Sequence, residues 1–253
     1  MKAGIVSSFA VLALSAVGCN REYQLHEPVV LQSPFPGEQT WAVAPFANES
    51  GVSSVDVLGI SDHFVTELNE VSGIRAIPLN RTLTAMRALE MKSVQSDEDA
   101  RALLDLLQVD GLIVGSVTTY EPYRPLQLGI AAQSYTVTTR APRASNAEEL
   151  FLSTGDRGPN GALLARSSGV LSPTSQVSSV IDMRNHDTLR RLDQYAKARA
   201  APKSGFRDQI YGASIDALGR FAAYATIEDL LARERTRLAD QAAAAAVVQG
   251  RND

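Results

Sequence analysis

Cys19 is the only cysteine among 253 residues, so no intrachain disulfide forms and a cysteine-rich metal site is excluded. The three histidines, His26, His63 and His186, lie in a proline-containing stretch, on a predicted helix and at a helix start. That scatter gives no shared catalytic or metal centre. His63 has Asp62 and Glu67 nearby, but such a group on a helix more often belongs to a solvated face. Asp97-Glu98-Asp99 does not form a paired-carboxylate site, because three consecutive residues point to different sides of a helix. They suit the positive end of one. Gly115-Ser116-Val117 lacks the second glycine of a nucleophile elbow. Gly155-Asp-Arg-Gly-Pro-Asn-Gly161 lacks the Lys-Ser/Thr of a phosphate loop, and no dinucleotide fingerprint occurs. With no nucleophile, base and orienting group in one pattern, the expectation is a protein without enzymatic activity, cofactor or metal, and with no small-molecule substrate evident.

What remains is charge. Residues 184–207 hold Arg184, Arg190, Arg191, Lys197, Arg199, Lys203 and Arg207 against Asp187 and Asp193, a local +5 in a chain whose formal net charge is −4. Arg184, Arg190, Arg191, Lys197 and Arg199 are therefore candidate partner-binding residues, facing lipid headgroups, peptidoglycan carboxylates or an acidic protein. The competing reading is a solvated helix face. The acidic balance of the whole chain argues against nucleic acid as a partner. A hydrophobic content of 45% with 21% charged residues excludes wholesale disorder.

The elements that would position these residues follow from periodicity. Residues 20–39 contain Pro28, Pro34, Pro36 and Gly37 and read as a flexible tether. As a coil it spans on the order of 25 Å, with a stretched limit of about 65 Å. Residues 40–46 read as a strand and 47–51 as a turn. Ser53 or Ser54 is expected to cap a helix to about Val71, with Val57, Ile60, Phe64, Val65 and Leu68 as its buried stripe. A strand at 74–79 follows. Asn80 and Ser96 are expected to cap the next two helices. The near-continuous apolar run Gly111–Val117 marks a strand buried on both faces, with Leu112, Ile113 and Val114 at its centre.

A strand is predicted over 126–140. Residues 141–175 form a mobile insert, poor in large apolar side chains, with Arg140, Arg143, Arg157 and Arg166 as the expected first trypsin sites. A strand at 177–183 alternates. A helix from Asn185 or Asp187 to about Ala201 places Leu189, Leu192 and Ala196 inward. The last helix is expected from Phe206 into the alanines at 242–246, with Ile210, Ser214, Leu218, Phe221, Ala225 and Leu231 as its seam and a kink at Gly212 or Gly219. The order implies an α/β fold with a mixed sheet, a parallel core joined to an antiparallel hairpin, and a long C-terminal helix. The domain runs over 40–235, with a helical or frayed tail at 236–253.

The amino terminus has a pattern of its own. Lys2, the apolar run Ile5–Val17 and the small residues Ala16-Val-Gly18 before Cys19 resemble the lipobox of bacterial lipoproteins, although Ala16 stands where leucine is usual. The resemblance implies a signal peptide over 1–18, cleavage before Cys19 and acylation of Cys19. Two or three acyl chains at about 0.8 kcal/mol per buried methylene anchor a protein stably. Asn20, in place of the aspartate that signals inner-membrane retention in enterobacterial lipoproteins, favours the periplasmic face of the outer membrane, with the inner membrane as the alternative.

Trp41-Ala-Val-Ala-Pro-Phe-Ala-Asn-Glu-Ser-Gly51 and Asp110-Gly-Leu-Ile-Val-Gly-Ser-Val-Thr-Thr-Tyr120, with the helices between them, resemble a family of envelope lipoproteins. That family includes the curli-secretion subunit CsgG, the penicillin-binding-protein activator LpoB and the amino-terminal domain of TolB. It implies an α/β sandwich used for binding or assembly, with an envelope protein partner or self-association. No catalytic residues carry over. The alternative it implies is a CsgG-like export pore, with 120–183 as membrane-inserting hairpins.

Overall fold

In the computed structural model, which describes residues 30–137, 173–199 and 210–249, the apolar block at 111–117 lies in the middle of a mixed sheet. In chain order the elements are β1 (Gln39–Val43), β2 (Ala47–Asn48), α1 (Val57–Asn69), β3 (Ile74–Ala76), α2 (Leu79–Ala88), α3 (Asp97–Leu107), β4 (Gly111–Glu121), β5 (Gln127–Thr136), β6 (Ser175–Asp182), α4 (His186–Arg199) and α5 (Ile215–Gln249). The fold is α/β. The sheet order is β3-β1-β4-β5-β6, with β2 also pairing with β4. β1 runs parallel to β3 and β4, while the β4/β5 and β5/β6 pairs are antiparallel. The signal segment 1–18, Cys19, residues 138–140 of the strand expected over 126–140, residues 141–172 of the expected insert and the break at Pro202–Gly205 lie outside the described residues.

β4 feeds two cores because successive side chains leave a strand on opposite faces. Ile113 and Val117 join Val43, Phe64, Leu128, Ile130, Phe221 and their neighbours under α1 and α5. Leu112 points the other way, to Ala42, Met86, Leu103, Leu104 and Tyr135 under α2 and α3. Two glycines let bulky rings approach this strand. A Cβ on Gly111 would stand 2.4 Å from Trp41 Cε2, and one on Gly115 would stand 2.7 Å from Phe46 Cε2. Val114, expected to be covered like its neighbours, is only half-buried, because α2 and α3 do not reach its part of the sheet.

The local signals are partly as expected. Ser96 caps α3 in a capping box with Asp99, and the three acidic residues sit in the first turn. Asp56, not Ser53 or Ser54, caps α1, its side chain accepting from Gly59 N at 2.9 Å. Asn80 falls inside α2, which starts after Pro78 with no side-chain cap. The strand expected at 40–46 is interrupted. Pro45 has no N–H to give the ladder, and the chain pairs again only at Ala47 and Asn48, which were expected in a turn.

α5 begins at Ile215 rather than Phe206, with Ile210–Ala213 in a turn that leaves Ile210 51% exposed and outside the seam. Ser214 accepts from Ala217 N at 3.4 Å and so favours a helix start. Leu189 is 40% exposed, because the inward stripe of α4 is Thr188, Leu192, Tyr195 and Ala196.

Residues 30–38, part of the stretch read as a tether, lie against the domain. Ser33 N donates to Ser72 O at 2.9 Å and Ser72 N to Leu31 O at 2.8 Å, and Gln32 bridges Ser72. Leu31 and Phe35 pack on the core, with the Phe35 ring 5.8 Å from that of Trp41. Arg235 of α5 donates to Gln32 O at 3.3 Å.

The two-sided burial of β4 sets an expectation. Ile113→Ala should cost about 2–5 kcal/mol in urea melts as a large-to-small core change. Val114→Ala, on the half-open face, should cost about 1 kcal/mol or less. Equal losses at the two positions would contradict this assignment of faces.

Candidate interaction surface

α2 and α3 cover β1 and the start of β4 but leave the rest of that sheet face bare among the described residues. The side chains there are those that alternate away from α1 and α5: Val114 and Ser116 on β4, Ala131 and Gln133 on β5, Gln176 and Ser178 on β6. They floor a groove of about 540 Å³. Gln95 and Ser96 at the start of α3 form one wall with Tyr135, and Glu49 stands at another. The lining is mainly amides, hydroxyls and small side chains. It suits a partner recognised by hydrogen bonds along an extended surface.

Tyr135 holds the wall in place. Its hydroxyl donates to Asp97 Oδ1 at 2.9 Å and lies 3.3 Å from Gln133 Oε1. Burial, and then the bond to the Asp97 carboxylate, push the phenol up to about 12. It therefore remains a neutral donor at any physiological pH. No three His, Cys, Asp or Glu side chains among the described residues are grouped to hold a metal ion.

The five candidate basic residues lie elsewhere, and the structure gives each an acidic partner, while Lys203 and Arg207 lie outside the described residues. Arg184 forks onto Asp182, with contacts at 2.8 to 3.2 Å, and these bonds hold the Asp182 carboxyl below its usual range. Arg190 pairs with Asp187 at 3.2 Å, and Lys197 with Asp193 one helical turn away. Such exposed pairs contribute little. Arg191 crosses to α5, where it meets Glu228 at 2.7 Å and Asp229 at 3.2 Å. Arg199 reaches Glu67 of α1, and its guanidinium lies 4.2 Å from the centre of the Tyr195 ring. Local counting gave +5 because Glu67, Glu228 and Asp229 are distant in sequence.

Sequence reasoning missed the buried centre of this network. Glu67 is 5% exposed and accepts from the Tyr195 hydroxyl at 2.8 Å. The Tyr195 ring stacks within 5.5 Å of Tyr211, Phe221 and Tyr224. Desolvation raises the Glu67 pKa, with Arg199 and the Tyr195 bond opposing it. Burial raises Tyr195, with the Glu67 charge next. A signal was present: Glu67 stands three residues after Phe64 and seven after Ile60, on the apolar stripe of its helix.

No family model matches this sequence, and no curated protein matches it. Solved structures do. The hypothetical protein CT253 from Chlamydia trachomatis is 9% identical, over 77% of this chain and 98% of that one, with a TM-score of 0.39. The C-terminal domain of LpoB from Salmonella enterica is 11% identical, over 42% of this chain and 76% of that one, with a TM-score of 0.35. Lipoprotein GNA1162 from Neisseria meningitidis is 14% identical, over 59% of this chain and 86% of that one, with a TM-score of 0.34.

The Glu67 site predicts a pH dependence with a definite sign. A carboxyl whose folded pKa lies above its unfolded value makes the native state bind the extra proton. Its contribution is then most favourable below about pH 4.5 and is lost as pH rises through the raised folded value. Between about pH 4 and pH 7, wild type should therefore lose urea stability relative to Glu67→Gln, which keeps an acceptor for Tyr195 but cannot titrate. Parallel pH profiles for the two proteins would rule this out.

Proposed function

We propose that this chain is a lipid-anchored protein of the cell envelope, held at the periplasmic face of the outer membrane, whose α/β domain binds or assembles with protein partners and does no chemistry itself. The anchor rests on the sequence: one thiol, Cys19, behind three small residues and an apolar run. The binding role rests chiefly on the bare, hydrogen-bonding face of β4, β5 and β6. No helix among the described residues is long and apolar enough to cross a membrane.

The docked segment 30–38 shortens the leash. At most 11 residues lie between Cys19 and Leu31, the first described residue to hydrogen-bond to the domain, which limits the stand-off to roughly 40 Å. The pore alternative needs strands from 120–183 with a lipid-facing side. Leu128 and Ile130 of β5 and Val177 and Ile181 of β6 are spent on the domain core under α1 and α5, which favours the binding reading.

Two measurements test the proposal. Metabolic labelling with an alkyne fatty acid should mark the wild-type protein and not Cys19→Ala, which should accumulate with its first 18 residues attached. Label on that variant would remove the anchor from the proposal. A photo-crosslinking residue at Gln133, on the groove floor, should capture an envelope protein in living cells, whereas one at Arg87, exposed on α2, should not. Failure at Gln133 would remove the groove as a binding surface for another envelope protein.

A further inference from the structure

The two edges of the sheet are treated differently. β3 is three residues long, carries Arg75 at its centre and has Gln32 bridged to Ser72 beside it. Short length, charge and cover are the usual ways to stop an edge from pairing. Among the described residues, β6 has none of them over Ser175–Ile181. It runs eight residues in unbroken register with β5, and no Lys, Arg or Pro occurs between Ser175 and Ile181. No described strand pairs with its outer side.

The register tells which backbone groups are left over. Met183 N donates to Leu126 O at 3.1 Å, which turns the odd-numbered residues of β6 toward β5. The N–H and C=O groups of Gln176, Ser178 and Val180 therefore point away from the sheet. Their side chains lie on the bare face, where Val180 is 54% exposed.

We infer that this edge pairs with the same edge of a second copy, antiparallel about a two-fold axis at Ser178. Three observations choose a second copy. The three outward residues are centred on Ser178, so the pairing is self-complementary: Ser178 meets its own counterpart, and Gln176 meets Val180. The stretch Ser175–Ile181 carries no charge, so self-pairing brings no like charges together along it. The ends are complementary as well. Arg233 of α5 stands beside Gln176, Val177 and Ser178, is exposed, and makes no ion pair among the described residues. Asp182, whose carboxylate also holds Arg184 of its own copy, lies at the other end of the strand. Antiparallel pairing carries each Arg233 toward Asp182 of the other copy.

The axis stands perpendicular to the sheet. The two bare faces then join on one side of a twelve-stranded sheet, with α1 and α5 of both copies on the other. This deepens the assembly role proposed above and rests on it, naming the partner as a second copy.

The test uses the full-length, membrane-attached protein. Ser178→Cys should give a disulfide-linked homodimer in cells on mild oxidation, and Arg75→Cys on the β3 edge should not. In detergent extracts, wild type should sediment as a dimer. Ser178→Lys and Ser178→Glu, both at an exposed position, should each weaken self-association about tenfold or more, and an equal mixture of the two should restore it. No Ser178→Cys dimer, equal bands from both cysteine variants, or charge variants that dimerise like wild type would each overturn the inference. The groove is scored separately. Capture at Gln133 without a homodimer removes only the dimer, whereas a homodimer without capture removes only the foreign partner.

Discussion

Everything in this domain hangs on β4 having to be apolar on both faces. Leu112 and Ile113, adjacent in sequence and each almost fully buried, belong to different cores. One faces α2 and α3, the other α1 and α5. A strand in that position cannot be an edge and cannot carry a charged side chain along its first half, which is why the run Gly111–Val117 contains none. Its neighbours are constrained in turn. Trp41 lies across Gly111 and Phe46 across Gly115, so the ring on the adjoining chain and the missing side chain on β4 form one packing unit. Bulk lost at one is matched by bulk at the other, and a methyl on either glycine would force the sheet apart.

The second core is closed by helices that are far apart in sequence, and here polar groups decide the fit. α5 lies along β5 and β6 and packs on α1. α4 has a mostly polar sequence and buries only Thr188, Leu192, Tyr195 and Ala196. Its position is fixed by Arg191 on α5 and by Tyr195 and Arg199 on Glu67. Burying Glu67 costs desolvation, and its pair with Arg199 offsets part of that. The value of such a group lies in placement. A carboxylate with two fixed donors accepts one arrangement of α4, whereas a purely apolar contact of that small area would tolerate several.

This division explains what could be read from the sequence. β4 and the amphipathic stripe of α1 were legible because an apolar period of two or of three to four is a local property. The Ser96 cap was legible because a hydroxyl followed three residues later by a carboxylate has few other local uses. The fate of the basic segment was not legible, since Glu67 precedes Arg199 by 132 residues and no local pattern joins them. The start of α5 was misplaced because Ile210 and Ser214 have the right spacing for a helix seam, while the competing hydroxyl cap of Ser214 is visible only in the backbone. The break at Pro45 was present in the sequence. Its consequence, a second short pairing with β4 at Ala47 and Asn48, depends on where β4 runs.

The bare face and the docked amino-terminal segment have a common geometric consequence. The segment enters beside β3, at Ser72, and β6 lies four strand spacings away, roughly 19 Å across the sheet. With the anchor proposed at Cys19, the chain would be held by the blunted edge, and the open edge would be the one farther from the attachment. Arg235, which donates to Gln32 O, ties this entry point to α5 as well. Restriction of that kind raises the effective concentration of one surface for whatever shares the membrane. Under the proposed anchor, a short leash and a fixed entry point would confine both partners to a thin layer and a narrow range of orientations, which favours association without adding a single contact. The bare face gains from this only because it lies away from the entry point. Had residues 30–38 docked along β6, the same leash would have covered the surface that it now presents.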